Sequence, residues 1–141
     1  MSYEKEFPIV TSIKLTSDEI IKFAVQYDPQ SFHTDPELAK DSIYGGLIAS
    51  GLHCIHKIWS VSPIDRKRYE LIAGLGFTVK FYKPIYADIE YMCEQTILDK
   101  REYRKLPNSY IYKTKSILKN NNDEIRFELD SSEIVRENIS Q

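Results

Sequence analysis

The chain has 141 residues, 42% of them hydrophobic and 28% charged, with a formal net charge of −2. That length fits one domain with a real core, read here as a single unit over residues 1–141, and the composition excludes a disordered or membrane-embedded class. The charge supplies no basic field for a phosphate backbone, although Arg66, Lys67 and Arg68 form a small local cluster, so nucleic acid is not expected as a partner.

Met1-Ser2-Tyr3-Glu4-Lys5-Glu6 carries charges where a secretory signal would need an apolar stretch. No apolar run approaches membrane-spanning length, and a cytoplasmic location with no membrane partner is expected. Phe7 to Leu15 alternates loosely, as a strand does. Thr16-Ser17-Asp18-Glu19 then has the spacing of a capping box, and Ile20, Phe23, Ala24 and Tyr27 form an apolar helical stripe that stops at Asp28-Pro29. Asp35-Pro36 reads as a second helix start, with aspartate at the N-cap and proline at the first helical position.

From Gly46 to about Trp59 apolar residues fall on nearly every face, the pattern of a buried helix. Asp65 to Glu70 reads as a charged loop. Phe77, Val79 and Phe81 alternate with Thr78, Lys80 and Tyr82 until Lys83-Pro84 breaks the strand. Ile89, Tyr91, Cys93 and Ile97 form the next strand pattern, Lys100 to Lys105 a solvated loop, and Tyr110 to Leu118 another strand. Asn120-Asn121-Asn122-Asp123 offers turn-tolerant residues, and Ile125, Phe127 and Leu129 alternate beyond it, completing a hairpin. The sum is an α+β plan in which an antiparallel sheet must wrap one buried helix.

Several residues invite chemistry that their context does not support. Cys54 and Cys93 lie far apart in apolar stretches and read as buried thiols, while Tyr110 and Tyr112 read as strand packing. His53 and His56 lack a third convincing metal ligand, and Gly45, Gly46 and Gly51 are no nucleotide fingerprint, because the preceding strand and the downstream acidic residue are missing. No metal is expected.

The informative stretch is Tyr27-Asp28-Pro29-Gln30-Ser31-Phe32-His33-Thr34-Asp35-Pro36, followed by Ile43-Tyr44-Gly45-Gly46-Leu47-Ile48-Ala49-Ser50-Gly51-Leu52. An aspartate with a histidine five positions on, then Asp-Pro, a glycine on a buried helix, and the proline-ended strand Phe77 to Pro84 together resemble the MaoC-like, R-specific enoyl-thioester hydratases. The resemblance implies a hotdog fold, in which an antiparallel β-sheet wraps a long central helix. It also implies addition of water to trans-2-enoyl thioesters, or dehydration of (R)-3-hydroxyacyl thioesters, carried on CoA or acyl carrier protein.

By position, the resemblance makes Asp28 and His33 the catalytic pair that binds and activates water. Gly51 becomes the residue whose amide points at the thioester carbonyl, and neighbouring Ser50 is expected to shape that wall of the substrate site. The chemistry agrees: a carboxylate and an imidazole can orient and polarise one water, and amides at a helix start attract developing negative charge. No cofactor is needed, because the thioester carbonyl is the electron sink.

The chain departs from the family pattern at Gln30 and Ser31, where asparagine and proline are usual, with proline moved forward to Pro29, and around Leu106-Pro107-Asn108. Two alternatives stay open on this scaffold: an acyl-CoA thioesterase and a non-catalytic acyl-thioester-binding subunit. A homodimer or dimer-based assembly is expected from the sheet edge that such a fold leaves open.

Overall fold

The computed structural model describes residues 2–138. After a short 3₁₀ turn at Tyr3–Glu6, the elements are β1 (Ile9–Lys14), α1 (Ser17–Tyr27), α2 (Ser31–Thr34), α3 (Pro36–Lys40), α4 (Gly51–Ser60), β2 (Tyr69–Phe81), β3 (Glu90–Glu102), β4 (Ser109–Lys119) and β5 (Ile125–Glu137). The five strands form one antiparallel sheet in the order β1-β3-β4-β5-β2. Register shifts at Leu71/Ala73 and Gly74/Gly76 in β2, and at Ile97/Asp99 in β3, are bulges of the kind that bend a sheet. The hotdog fold is therefore what the chain adopts.

Caps written into the sequence set the helix starts. The amide of Glu19 donates to Thr16 Oγ1 at 3.2 Å, and the amides of Glu37 and Leu38 donate to Asp35 Oδ1 at 2.9 and 3.2 Å. In the β4–β5 hairpin, Asn120 Oδ1 accepts from the amides of Asn122 and Glu124, and Asp123 takes a left-handed φ of 63°.

The core lies between α4 and the concave face of the sheet. Cys54, Ile55 and Ile58 of α4 pack with Cys93, Leu118, Phe127 and Leu129, while Ile13, Leu15 and Ile20 close the near end. A second, smaller cluster joins Tyr69, Tyr112 and Val135 to Tyr3. Both cysteines are free and buried, and burial pushes the Cys54 thiol up to about 12.

Three expectations change. The central helix is ten residues rather than long, starting at Gly51 and not at Gly46. Residues 47–49 are extended instead: Ile48 bridges Tyr86, Ala49 donates to the Ile85 carbonyl, and Ala87 donates to the Leu47 carbonyl. Apolar composition fits either state, and backbone pairing with 85–87 decides it.

Strand β2 begins at Tyr69, inside the segment read as a charged loop, because pairing with β5 runs from Tyr69↔Glu137 to Phe81↔Phe127. Finally, β3 continues through Glu102, so Lys100 to Glu102 is strand rather than loop. There the Lys100 ammonium sits 4.1 Å from the Tyr110 ring centroid and pairs with Glu4.

Candidate functional site

Asp28 and His33 meet because α1 stops where it does. Asp28 is the C-cap of α1, its amide donating to the Ala24 carbonyl at 2.8 Å. The chain then turns through Pro29 into α2, held by Gln30 N–H to Asp28 O at 2.8 Å and His33 N–H to Gln30 O at 2.9 Å. These bonds use only the backbone of Gln30, whose side chain makes no cap hydrogen bond. The loop is closed without the asparagine that the sequence pattern lacks.

His33 is buried, and its ring is anchored through one nitrogen and faces Asp28 with the other. Nδ1 lies 2.6 Å from the Ile48 carbonyl oxygen. A carbonyl only accepts, so Nδ1 carries the proton, and in the neutral imidazole Nε2 is an acceptor. Nε2 faces Asp28 Oδ2 at 3.5 Å. The extended backbone at Ile48, tied to Phe32 by Ile48 N–H to Phe32 O at 3.1 Å, thus sets the tautomer.

With the ring in that neutral form, two acceptors face each other and cannot bond directly. A molecule with two O–H donors satisfies both, and water is the smallest such molecule.

Ser50 occupies the N-cap of α4 but does not cap it. Its hydroxyl, 1% exposed, donates instead to Asp28 Oδ2 at 2.8 Å. One consequence is a carboxylate pinned in place, with its side chain still 28% exposed. Another is that the first-turn amides of α4, which a capping serine would help satisfy, keep their donor capacity at the positive end of the helix.

Gly51 is the first residue of that turn, and a Cβ there would overlap the Phe81 ring of β2. Phe81 is 62% exposed and rests against Phe127, with ring centroids 5.7 Å apart. All four residues singled out from the sequence therefore converge at the junction of α1, α2 and the start of α4. Ser50 sits as the partner of Asp28 rather than as a bare wall.

Sequence reasoning missed the Ile48 carbonyl, the Phe81 ring and the Ser50–Asp28 bond. A backbone acceptor leaves no mark on residue type, and a contact from β2 to α4 depends on the sheet's curvature.

Among the described residues no group of three or more His, Cys, Asp and Glu side chains could hold a metal ion. His53 stacks on Phe23 at 4.5 Å between ring centroids, and burial draws its pKa below the ordinary value. Among the described residues no helix is long and apolar enough to cross a membrane.

The model of the MaoC-like domain matches residues 2–117. The chain is 35% identical over 99 residues to the uncharacterized protein YdeM of Bacillus subtilis, covering 66% of this chain and 67% of that one. The crystal structure of a MaoC-like dehydratase from Rhodospirillum rubrum superposes with a TM-score of 0.74 at 24% identity, covering 94% of this chain and 95% of that chain. The R-hydratase PhaJ1 from Pseudomonas aeruginosa gives a TM-score of 0.70 at 18% identity, covering 93% and 81%. A family model spanning most of the chain, with the same fold in solved structures, makes this protein a member of the MaoC-like dehydratase family.

Proposed function

We propose that this chain is a hydro-lyase that adds water to trans-2-enoyl thioesters, or removes it from (R)-3-hydroxyacyl thioesters, in acyl-chain metabolism. The observation that carries the reading is the Nδ1 contact of His33 with the Ile48 carbonyl, 2.6 Å long. It leaves Nε2 as an acceptor 3.5 Å from a carboxylate that Ser50 holds still.

A water donating to both groups has its oxygen lone pairs turned away from them, toward an incoming β-carbon. As the C–O bond forms, one water proton passes to the pair and a proton is delivered to the α-carbon, so the sum is water added across the double bond. Negative charge grows on the thioester oxygen meanwhile. The Gly51 amide, at the start of α4 that Ser50 leaves uncapped, is the donor we assign to it. In the reverse direction the pair removes the α-proton and protonates the departing hydroxyl. No cofactor enters, and the carrier is CoA or acyl carrier protein.

The reading includes a homodimer or an assembly of dimers. Strand β2 is a sheet edge, and Leu71, Leu75 and Phe77 on it are exposed, a combination that a second copy would cover. Light scattering at micromolar concentration tests this, and a monomer that retains activity contradicts it.

The test of activity pairs crotonyl-CoA with a saturated acyl-CoA. Hydration consumes the enoyl absorbance of the first and leaves the second intact. Release of free thiol from the saturated thioester would replace this reading with a thioesterase, and saturable binding without turnover would replace it with an acyl-binding subunit.

A further inference from the structure

The Ile48 carbonyl decides which nitrogen of His33 carries the proton, so whatever places that carbonyl takes part in setting the site. Two hydrogen bonds, Ala49 N–H to Ile85 O at 2.8 Å and Ala87 N–H to Leu47 O at 3.0 Å, join residues 47–49 to 85–87 without using the polar groups of Ile48. In an antiparallel pair of this kind the central residues turn their N–H and C=O outward. Ile48 therefore presents both to α2, its N–H to the Phe32 carbonyl at 3.1 Å and its carbonyl to His33 Nδ1 at 2.6 Å. The residue opposite Ile48 is Tyr86.

Tyr86 is fixed at its backbone and at its ring. Its N–H donates to the hydroxyl of Tyr91, a buried core residue, at 2.9 Å. The Arg126 guanidinium, whose Nε donates to the Pro84 carbonyl at 2.8 Å, lies over the ring 5.8 Å from its centroid. From this footing the Tyr86 hydroxyl donates to the Tyr44 carbonyl at 2.7 Å, and the ring lies beside Gly46. The tie falls where the path to Ile48 is least able to hold itself: Gly45 and Gly46 bring no side chains to pack, and Gly45 takes a left-handed φ of 68°.

Tyr44 in turn sets its ring edge-on to Phe32, 5.0 Å between centroids, and Phe32 stands edge-on to His33 at 4.6 Å. Two lines of contact thus run from Tyr86 to His33, one through the backbone of 47–49 and one through the rings of Tyr44 and Phe32.

This placement has a chemical consequence. With Nδ1 bound to the carbonyl, Nε2 is the acceptor that the water needs. Were the carbonyl to move out of reach, the proton would be free to sit on Nε2, point at Asp28 Oδ2 across 3.5 Å, and take the place of the water's own donor. We infer that Tyr86 is a positioning residue of the proposed hydration, a role that rests on that reading: it places the Ile48 carbonyl and so keeps the His33 proton on Nδ1. It acts through Ile48 and Tyr44 rather than on the reacting atoms.

The test reads the tautomer directly. The chain has three histidines, His33, His53 and His56, so the imidazole nitrogen shifts of isotope-labelled protein are few, and His33→Gln identifies those of His33. At alkaline pH, where imidazoles are neutral, His33 should carry its proton on Nδ1 in the wild type and divide it between the two nitrogens in Tyr86→Phe, which removes only the hydroxyl. On crotonyl-CoA, Tyr86→Phe should lose about 10-fold in kcat with KM within about twofold, since the water is misplaced and the thioester contacts are untouched.

Lys100→Met, which breaks the pair with Glu4 at the N-terminal turn, lies off this path and should keep the His33 proton on Nδ1. A His33 that stays wholly Nδ1-protonated in Tyr86→Phe, one that changes equally in Lys100→Met, or a divided tautomer with wild-type kcat would each overturn the assignment. The tautomer is read without substrate, so a wild type that fails to hydrate crotonyl-CoA sinks the hydratase reading alone, and the nitrogen shifts still decide whether Tyr86 places the proton.

Discussion

Ser50→Ala isolates the bond that holds the proposed general base. The wild-type hydroxyl is buried, donates to Asp28 Oδ2 at 2.8 Å, and makes no cap hydrogen bond to α4, so its removal cannot act through helix capping. A hydrogen bond to a charged acceptor contributes about 1.5–3 kcal/mol. Asp28 keeps 28% of its side chain exposed, so water recovers part of that, and a loss of about 1–2 kcal/mol in unfolding free energy is expected. Alanine removes one oxygen and leaves no large void, so packing adds little.

The larger effect is on turnover. A carboxylate free to swing away from His33 Nε2 misplaces the water, and misplacement on the scale of 1 Å costs up to about 100-fold. Crotonyl-CoA hydration by Ser50→Ala should therefore fall about 10- to 100-fold in kcat with KM nearly unchanged. In an Asp28→Asn background the same substitution should cost little more, since the group it orients is already lost. Wild-type kcat in a correctly folded Ser50→Ala protein, or fully additive losses in the double variant, would refute the coupling of Ser50 to Asp28.

Asp28→Asn and His33→Gln should each lower hydration by roughly two to four orders of magnitude with little change in thioester binding, and the double variant should be hardly worse than either. Gly51→Ala forces the Phe81 ring aside, and Phe81→Ala opens space over the same amide. Gly51→Ala keeps the amide N–H, but if the thioester oxygen docks there the added methyl displaces it, so kcat should fall by up to about 100-fold, and combining the change with Phe81→Ala should restore stability but not kcat, as urea unfolding and steady-state rates will show. Acid should loosen the N-terminal turn: burial opposes ionisation of Glu4, yet hydrogen bonds from Lys100 and Tyr112 outweigh it and hold the carboxyl at about 2, below its ordinary 4.5. Because the folded value is depressed, this contribution is present above pH 4.5 and lost as pH falls toward 2, and urea midpoints across that window should show a shallower decline in Lys100→Met. Glu133 runs the other way: burial raises its folded value, so Glu133→Gln should stabilise the protein at neutral pH, with the gain fading as pH falls through the raised value and gone once pH is below the ordinary 4.5.

The sequence alone determined the elements whose signals are local. Thr16 and Asp35 cap helices because a hydroxyl or carboxylate reaches amides two or three residues on, and Asn120 closes its hairpin for the same reason. Asp28 and His33 could be singled out together because a helix end and a short turn bring them close with only four residues between them. The α+β plan followed from periodicity, since alternation marks half-buried strands wherever they pair.

Tertiary structure decided what no local signal carries. Residues 47–49 extend because 85–87 lie beside them, although their apolar composition suits a helix equally. Ser50 gives its hydroxyl to an aspartate 22 residues away instead of to its own helix, because burial rewards the charged acceptor. The His33 tautomer depends on a carbonyl supplied by that same extended segment. Glu133 meets its partner Thr114, 19 residues away in sequence, only because β4 and β5 pair. Side-chain type sets what a residue can do, but only the packed sheet and helix set what it meets.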